Sequence, residues 1–200
     1  MFRYGIIGTL SLLLACTTTH SEKQPFELSK DSAFVMVSGT APMHDWKMHL
    51  KTFDCNADFI MKDSEVKGID EVTFSCKVTD LTSDDPLMDN KAYSALKSGI
   101  FPEIKFNMTS PMKLSPGNNK FSDKLNGDLY IAGKLIAVSI PLNGTLDNKN
   151  GAVMIDISGE TELKMSDFDI TPPSFMMGML KTGDKVTVSF SLQYRQKTGQ

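Results

Sequence analysis

The chain has 200 residues, of which 40% are hydrophobic and 22% charged, and its formal net charge is −3. This balance is typical of one globular domain with a sizeable core. It excludes a strongly basic nucleic-acid-binding protein, because no run rich in Lys and Arg supplies a positively charged face. The motifs HExxH, CxxC, GxSxG, GxxxxGKS and GxGxxG are absent. Their absence favours a protein that is not an enzyme and uses no cofactor or metal.

The first residues predict an export signal. Residues 1–4 carry one positive charge, and Gly5–Leu14 is a mostly apolar run that is too short to cross a bilayer as a helix. The run ends in Leu13-Leu14-Ala15-Cys16, which resembles a bacterial lipobox, a signal cut before a cysteine whose sulfur then carries lipid. The alternative is an ordinary signal peptide with a chance cysteine.

The lipobox resemblance implies that residues 1–15 are a lipoprotein signal peptide and that Cys16 is the lipidation site. Residues 16–25 then form the lipidated cysteine and a flexible polar tether, and residues 26–196 form the folded domain. Because no Asp follows Cys16, the resemblance favours an outer-membrane lipoprotein of the cell envelope. We expect it to face the periplasm and to be held to the membrane by its lipid anchor.

The predicted domain opens with two strand-like runs. Phe26–Gly39 has a β-rich centre at Ala33–Val37. In the second run Trp46, Met48 and Leu50 alternate with polar residues, as in a half-buried strand.

Thr52–Thr79 predicts a hairpin whose register also predicts a disulfide. Folding it about Glu65 and Val66 places Cys55 opposite Cys76. The same register pairs Phe53 with Val78, Ala57 with Phe74, and Phe59 with Val72, so that one face holds only apolar residues and sulfur. With Cys16 lipid-modified, we expect the two remaining cysteines of an exported protein to pair. The alternative is two unpaired buried thiols.

One short amphipathic helix is predicted after the hairpin. Asp85 is the expected N-cap with Pro86 at the first helical position, and Gly99 is the expected C′ residue. Between them lie apolar residues at helical spacing, namely Met88, Ala92, Ala95 and Leu96. We expect this helix over the sheet or across an open end.

The remaining chain returns to a strand pattern. Gly133-Lys134 predicts a tight hairpin turn, and Lys185–Tyr194 alternates without interruption. With eight or nine strands, one helix and no long linker, the sequence predicts an all-β fold, a closed antiparallel β-barrel of about eight strands with one short helix.

The segment Met165–Leu180 departs from the strand pattern. It contains two prolines and an apolar set that is too short for an independent helix, and the set comprises Phe168, Phe175, Met176, Met177 and Met179. Two interpretations stay open, a plug in the core and a lid or mouth over a ligand cavity, because flexible methionines serve both.

Four stretches together resemble the YceI-like family. They are Ser38–Trp46, Tyr93–Phe106, Gly127–Gly133 and Leu163–Pro173, and their order and spacing match the family from about Phe26 to Tyr194. Where that family has a further Thr after the glycine of its third stretch, this chain has Lys134.

The resemblance implies a lipocalin-like antiparallel β-barrel of exported bacterial proteins. Its members hold an apolar amphiphile, a polyisoprenoid or a fatty-acid-type chain, in the lumen. A barrel of about eight strands can hold one small ligand or fill its interior with side chains, so a solid barrel stays an alternative. The lumen residues expected from alternation are Phe34, Met36, Trp46, Met48, Phe53, Phe59, Phe74, Phe106, Met108, Ile136, Val138, Ile140, Val188, Phe190 and Leu192.

His44, Asp45 and Trp46 are candidates for contact with a polar head group at the mouth; the alternative is a turn at the start of a strand, stabilised by Asp45. A solid barrel would instead suit a structural or interaction protein of the envelope. A third hypothesis is an enzyme acting on lipid, or a copper carrier that uses Met43-His44, Met48-His49 and the methionines of residues 175–180 as soft ligands. The sequence predicts no oligomeric state.

Overall fold

The computed structural model of the chain describes residues 22–24, 26–42, 44–62, 65–114, 119–149, 152–175 and 180–197. The predicted signal peptide and Cys16 lie outside these residues, as do Met43, Met176, Met177 and Met179. The described part of the chain contains no helix that is long and apolar enough to cross a membrane.

The described residues are mostly strand. The strands are β1 Glu22–Gln24, β2 Phe26–Leu28, β3 Phe34–Gly39, β4 Trp46–Leu50, β5 Asp54–Lys62, β6 Glu65–Lys77, β7 Leu81–Thr82, β8 Glu103–Met108, β9 Met112–Lys113, β10 Lys120–Ile131, β11 Lys134–Lys149, β12 Ala152–Lys164, β13 Ser174–Phe175, β14 Leu180–Lys181 and β15 Lys185–Gln196. The α-helix α1 spans Pro86–Ala95, and single 3₁₀ turns span Lys30–Ser32, Val78–Asp80 and Met165–Phe168.

The strands form one antiparallel sheet that curls into a half-barrel. Its order is β1-β5-β6-β8-β10-β11-β12-β15-β3-β4-β7, with β2 added beside β15 and β9 beside β6, while β13 and β14 form a separate pair. No pairing of described residues joins the two ends of this path, β1 and β7. The predicted all-β, antiparallel, lipocalin-like class with one short helix is confirmed. The strands of five or more residues are β3, β4, β5, β6, β8, β10, β11, β12 and β15.

The last residues of the segment predicted as a tether take part in this sheet. Glu22 to Gln24 form β1, in which Glu22 lies opposite Met61 and Gln24 opposite Phe59 of β5. The expectation of a flexible tether up to residue 25 was therefore wrong for these three residues.

The hairpin of β5 and β6 has the predicted inner face but a different register. Cys55 lies opposite Phe74 and Ala57 opposite Val72, two residues away from the predicted pairing. Two irregularities follow, next to Phe59 and next to Met61. Glu65 and Val66, the predicted turn, are instead paired residues of β6, opposite Lys62 and Met61. Because strand side chains alternate with period two, a shift of two residues leaves the same face buried.

The prediction of a disulfide between Cys55 and Cys76 was wrong, because the observed register does not place the two cysteines opposite each other. Cys55 and Cys76 are free thiols, and the strand partner of Cys76 is Ile104 of β8. Cys55 and Cys76 are therefore diagonal neighbours on adjacent strands. Such residues lie roughly 7–8 Å apart, with their Cβ atoms only somewhat closer, whereas a disulfide needs Cβ atoms about 3.8 Å apart. Burial raises the pKa of the Cys55 thiol and raises the pKa of Cys76 to about 12.

The helix begins as predicted and ends differently. The Asp85 carboxylate accepts a hydrogen bond of 2.9 Å from the Leu87 N–H, and Pro86 is the first helical residue. At the other end Lys97, with φ of 57°, occupies the left-handed position that Gly99 was expected to take. The Ser98 N–H donates to the Tyr93 carbonyl (3.0 Å) and the Lys97 N–H to the Ser94 carbonyl (3.1 Å), a Schellman closure.

One end of the half-barrel is filled by side chains. Phe59 of β5 packs edge-on against Phe26 of β2 and Tyr194 of β15, with ring centroids 5.1 and 5.3 Å away. Phe59, Ile69 and Ile155 have no exposed surface. These contacts join strands that lie far apart in the sheet order, so they show that the sheet curls over its own core. We call this region the packed end.

Candidate functional site

The other end of the half-barrel encloses a cavity of about 540 Å³. It lies where β12 ends, β15 begins, β3 ends and β4 begins, beside α1 and the segment Met165–Pro173. We call this region the hollow end. The volume is within the range of small-molecule sites in proteins, roughly 300–1,000 Å³.

Rows of cross-strand partners form one wall of the cavity. The row across β12, β15, β3 and β4 is Thr161, Val188, Val37 and Met48. The next row, nearer the strand ends, is Leu163, Val186, Gly39 and Trp46. All of these except Gly39 border the cavity. Inward alternation on four neighbouring strands therefore produces a continuous, almost entirely apolar surface.

Aromatic rings lie over glycines in this wall. A Cβ added to Gly39 would be 2.5 Å from Cζ2 of Trp46, and one added to Gly159 would be 2.5 Å from Cζ of Phe190. Both glycines are the direct cross-strand partners of the ring they support. The rings can rest against the strands only because the glycines lack a side chain, and the interior in front of them stays open.

Trp46 also carries the one buried side-chain nitrogen or oxygen of the described residues that lacks a hydrogen-bond partner, its Nε1. An unpaired buried donor is unfavourable by about 1–3 kcal/mol. The ring position is therefore determined by packing, which includes the contact with Gly39, and not by hydrogen bonding.

Polar groups enter the cavity mainly from residues at its rim. His44, Asp85 and Lys164 border it and are exposed. Lys91 of α1 also borders it, and its ammonium donates to the Ser174 carbonyl over 2.7 Å. The rim thus combines cationic and hydrogen-bonding groups next to an apolar interior, an arrangement suited to a ligand with one polar end.

The helix supplies part of the wall at this end. Met88, Ala92, Ala95 and Leu96, the apolar set predicted from helical spacing, all border the cavity. Their positions agree with the expectation that the helix lies across an open end of the barrel.

The first part of the irregular segment forms another part of the wall. Met165, Phe168 and Ile170 border the cavity, and Phe168 is buried. Lys134 holds the segment through an ion pair of 2.7 Å with Asp169, and this hydrogen bond lowers the pKa of that carboxyl. The side chain of Phe175 and residues 176–179 lie outside the described parts, so the lid hypothesis for them stays a prediction.

The structure brings together about half of the predicted lumen residues around the cavity. Those that border it are Trp46, Met48, Phe74, Phe106, Ile140, Val188, Phe190 and Leu192. Phe53 and Phe59 are buried in the core away from it, and Met108, Ile136 and Val138 are half-buried against that core. His44 is at the rim, while Asp45 is exposed and outside the wall. A role in binding stays a prediction for all of them.

The parity predicted for β3 was wrong. Phe34 is 49% exposed, whereas Val35 and Val37 border the cavity. Every residue from Phe34 to Val37 is apolar, so alternation alone does not identify the inner face, and the predicted inner pair, Phe34 and Met36, is the wrong one.

Other wall residues were missed for identifiable reasons. Leu163 and Val186 continue the alternation of β12 and β15 to the strand ends, so the pattern did contain them. Cys55 and Cys76 also border the cavity, but the predicted disulfide had assigned them a structural role. Among the described residues no three His, Cys, Asp or Glu side chains form a group that could hold a metal ion.

An antiparallel half-barrel with an apolar cavity at one end, covered by a single helix, defines a lipocalin-like fold. The family model for the YceI-like domain matches residues 25–194. The chain therefore belongs to the YceI-like family, which confirms the predicted resemblance.

Solved structures share this fold at low sequence identity. BcnA of Burkholderia cenocepacia has a TM-score of 0.64 at 17% identity, over 84% of this chain and 99% of that one. A polyisoprenoid-binding domain of Saccharophagus degradans, implicated in plant cell wall breakdown, has a TM-score of 0.63 at 11% identity, over 88% and 100%. The YceI protein of Campylobacter jejuni has a TM-score of 0.58 at 18% identity, over 96% and 100%. A comparison with curated proteins gives no match.

Proposed function

We propose that this protein binds one apolar amphiphile, a polyisoprenoid or fatty-acid-type molecule, with its hydrocarbon chain in the hollow end. The observation that carries the proposal is the cavity of about 540 Å³ with an almost wholly apolar wall. Membership of the YceI-like family supports it, as does the similarity in fold to a polyisoprenoid-binding domain.

The energetics favour this ligand class. Each CH₂ group transferred from water into an apolar interior contributes about 0.8 kcal/mol. A chain that fills the cavity would therefore bind usefully without any polar contact to the wall. The polar end of the molecule would lie at the rim, where His44 and Lys164 are exposed and can contact a hydroxyl or an anionic group.

The proposed setting is the periplasmic side of an outer membrane, with the domain attached through lipid on Cys16. The support is the lipobox-like Leu13–Cys16 and the following Thr17 in place of Asp. A lipid-anchored carrier would hold its cargo close to the bilayer from which such amphiphiles come. Radiolabelled palmitate incorporated into the wild type but not into Cys16→Ser would support the anchor, and equal labelling would contradict it.

Mass spectrometry of the Cys16→Ser protein purified from the periplasm of its host tests the binding function. We expect an additional mass of a few hundred daltons under native conditions that is lost on denaturation, on the order expected for a molecule filling such a cavity. A ligand-free mass, together with no binding of added stearate or geranylgeraniol, would contradict the proposal and favour an interaction protein.

A further inference from the structure

The contact between Gly39 and Trp46 affects the width of the cavity. Gly39 is the last residue of β3, and Trp46, its cross-strand partner, is the first of β4. The three atoms nearest to a Cβ added at Gly39 all belong to the indole ring, at 2.5, 2.8 and 3.1 Å. The indole therefore occupies the space that any other residue at position 39 would fill with its own side chain.

The direction in which the ring would be displaced follows from its surroundings. An ordinary Cβ contact lies at 3.4–4 Å, so a methyl group at position 39 requires the ring to move by about 1 Å. The indole lies against Gly39 of β3 and also borders the cavity. Close-packed side chains have to shift when a methyl group is added beside them. The free space next to the ring is the cavity, so the ring would move into it.

The indole has no hydrogen bond that would hold it in either position. Its Nε1 is buried without a partner, so packing, which includes the contact with Gly39, determines where the ring lies. Ala41 and Pro42, which follow β3, and Thr182, which precedes β15, also border the cavity at this end. The pair is therefore placed close to the rim, where a ligand chain has to pass.

We propose that Gly39 and Trp46 together set the width of chain that the hollow end accepts. Glycine at position 39 keeps the indole against the wall, which leaves room for a methyl-branched prenyl chain as well as for a straight alkyl chain. The inference rests on the proposed function and adds to it the residues that determine specificity.

The chain contains a matched control pair outside the cavity. Gly144 and Phe121 are also direct cross-strand partners, and the three atoms nearest to a Cβ added at Gly144 all belong to the Phe121 ring. Neither residue borders the cavity. Gly144→Ala therefore imposes the same kind of clash without narrowing the cavity. Gly127 and Gly159 are poorer choices, because a Cβ there would also meet a backbone carbonyl.

Isothermal titration calorimetry of wild type, Gly39→Ala and Gly144→Ala with stearate and with geranylgeraniol tests the inference. We expect Gly39→Ala to weaken binding of geranylgeraniol by roughly tenfold or more, as for one excess methyl group in an apolar pocket, and to weaken stearate binding less. Gly144→Ala should leave both affinities within about twofold of the wild type, although its stability falls.

A Trp46→Ala background identifies the cause of the effect. Without the indole there is nothing for the added methyl to displace, so Gly39→Ala should no longer change the affinity for geranylgeraniol. Trp46→Ala alone should bind geranylgeraniol at least as tightly relative to stearate as the wild type does, and this variant tests the inference even if Gly39→Ala does not fold.

The outcomes separate the two proposals. Wild-type protein that binds neither compound would contradict the proposed function. Wild-type binding with unchanged affinities in Gly39→Ala, or an equal loss of affinity in the Trp46→Ala background, would overturn the inference and leave the proposed function standing.

Discussion

The packed end and the hollow end of the half-barrel are built by the same strands, yet only one of them is filled. At the packed end Phe59 of β5 contacts rings from β2 and β15, and it has no exposed surface. At the hollow end Val188 and Phe190 of β15 also point inward, but they border the cavity and are only half-buried. Inward alternation thus produces an apolar interior in both regions, and contact between opposite walls decides whether that interior is solid.

The two ends should differ most in how much stability the protein loses when a phenylalanine is replaced by alanine. Phe59→Ala should lower the free energy of unfolding by about 3–5 kcal/mol, as for a fully packed phenylalanine. Phe190→Ala should lower it by roughly 1–2 kcal/mol, because that ring already borders empty space and loses fewer contacts. Urea unfolding of both variants measures the difference, and equal losses would show that the hollow end is as tightly packed as the other.

A larger side chain should destabilise the packed end, whereas at the hollow end it should block ligand binding with little effect on stability. Ile155→Trp at the packed end should cost about 1–3 kcal/mol or more through overpacking, since Ile155 has no exposed surface. Ile140→Trp should leave stability nearly unchanged and abolish ligand binding, because Ile140 borders the cavity and the indole would occupy it. Loss of folding in Ile140→Trp would contradict a hollow end.

The two thiols lie on the boundary between the ends and should make stability depend on alkaline pH. Cys55 and Cys76 border the cavity, and Cys55 Sγ also lies 3.1 Å from the hydroxyl of Tyr194 at the packed end. Burial raises the pKa of Cys76 to about 12, whereas an unfolded thiol titrates near pH 8.5. Between these values the folded state binds more protons than the unfolded state, so the free energy of unfolding falls as pH rises.

We expect a loss of about 1 kcal/mol or more per pH unit above roughly pH 9, measured by urea unfolding under reducing conditions. Cys76→Ala should flatten this slope, and the difference between its profile and that of the wild type isolates the thiol from the tyrosines. Identical slopes for the two proteins would show that Cys76 is not buried as a neutral thiol.

The smallest effect concerns the ion pair that holds the wall segment Met165–Pro173 at the hollow end. Lys134→Ala should change the free energy of unfolding only slightly, because both partners are half-exposed and water screens their attraction. The pKa of Asp169, which the hydrogen bond from Lys134 lowers, should rise in this variant when followed by NMR titration. An unchanged pKa would mean that the pair does not persist in solution.

Sequence patterns could predict which side chains of a strand point into the barrel. The inner faces of β4, of the β5–β6 hairpin and of β15 follow from alternation, and the helix start follows from Asp85-Pro86. The register of the hairpin does not follow, because a shift of two residues keeps the same face buried and irregularities near Phe59 and Met61 determine the shift. The disulfide prediction failed for this reason.

Whether the barrel is hollow could not be predicted from the same patterns. Phe59 and Phe190 are both phenylalanines on the alternating apolar face of their sequence segments, so the pattern does not distinguish a ring in a filled core from a ring at a cavity. β3 shows a related limit, since Phe34 to Val37 are all apolar and either parity satisfies the pattern. Neighbouring glycines carry a usable signal, because Gly39 and Gly159 mark places where a ring lies against the wall.

Fluorescence quenching of Trp46 by a brominated fatty acid tests most directly whether the hollow end holds an apolar chain. Trp46 is the only tryptophan of the chain and borders the cavity, so a bromine atom on a bound chain would lie close to the indole. We predict saturable quenching by dibromostearate with one molecule per protein, and reversal by excess stearate. Quenching that rises linearly without saturation, or none at all, would contradict a ligand in this cavity.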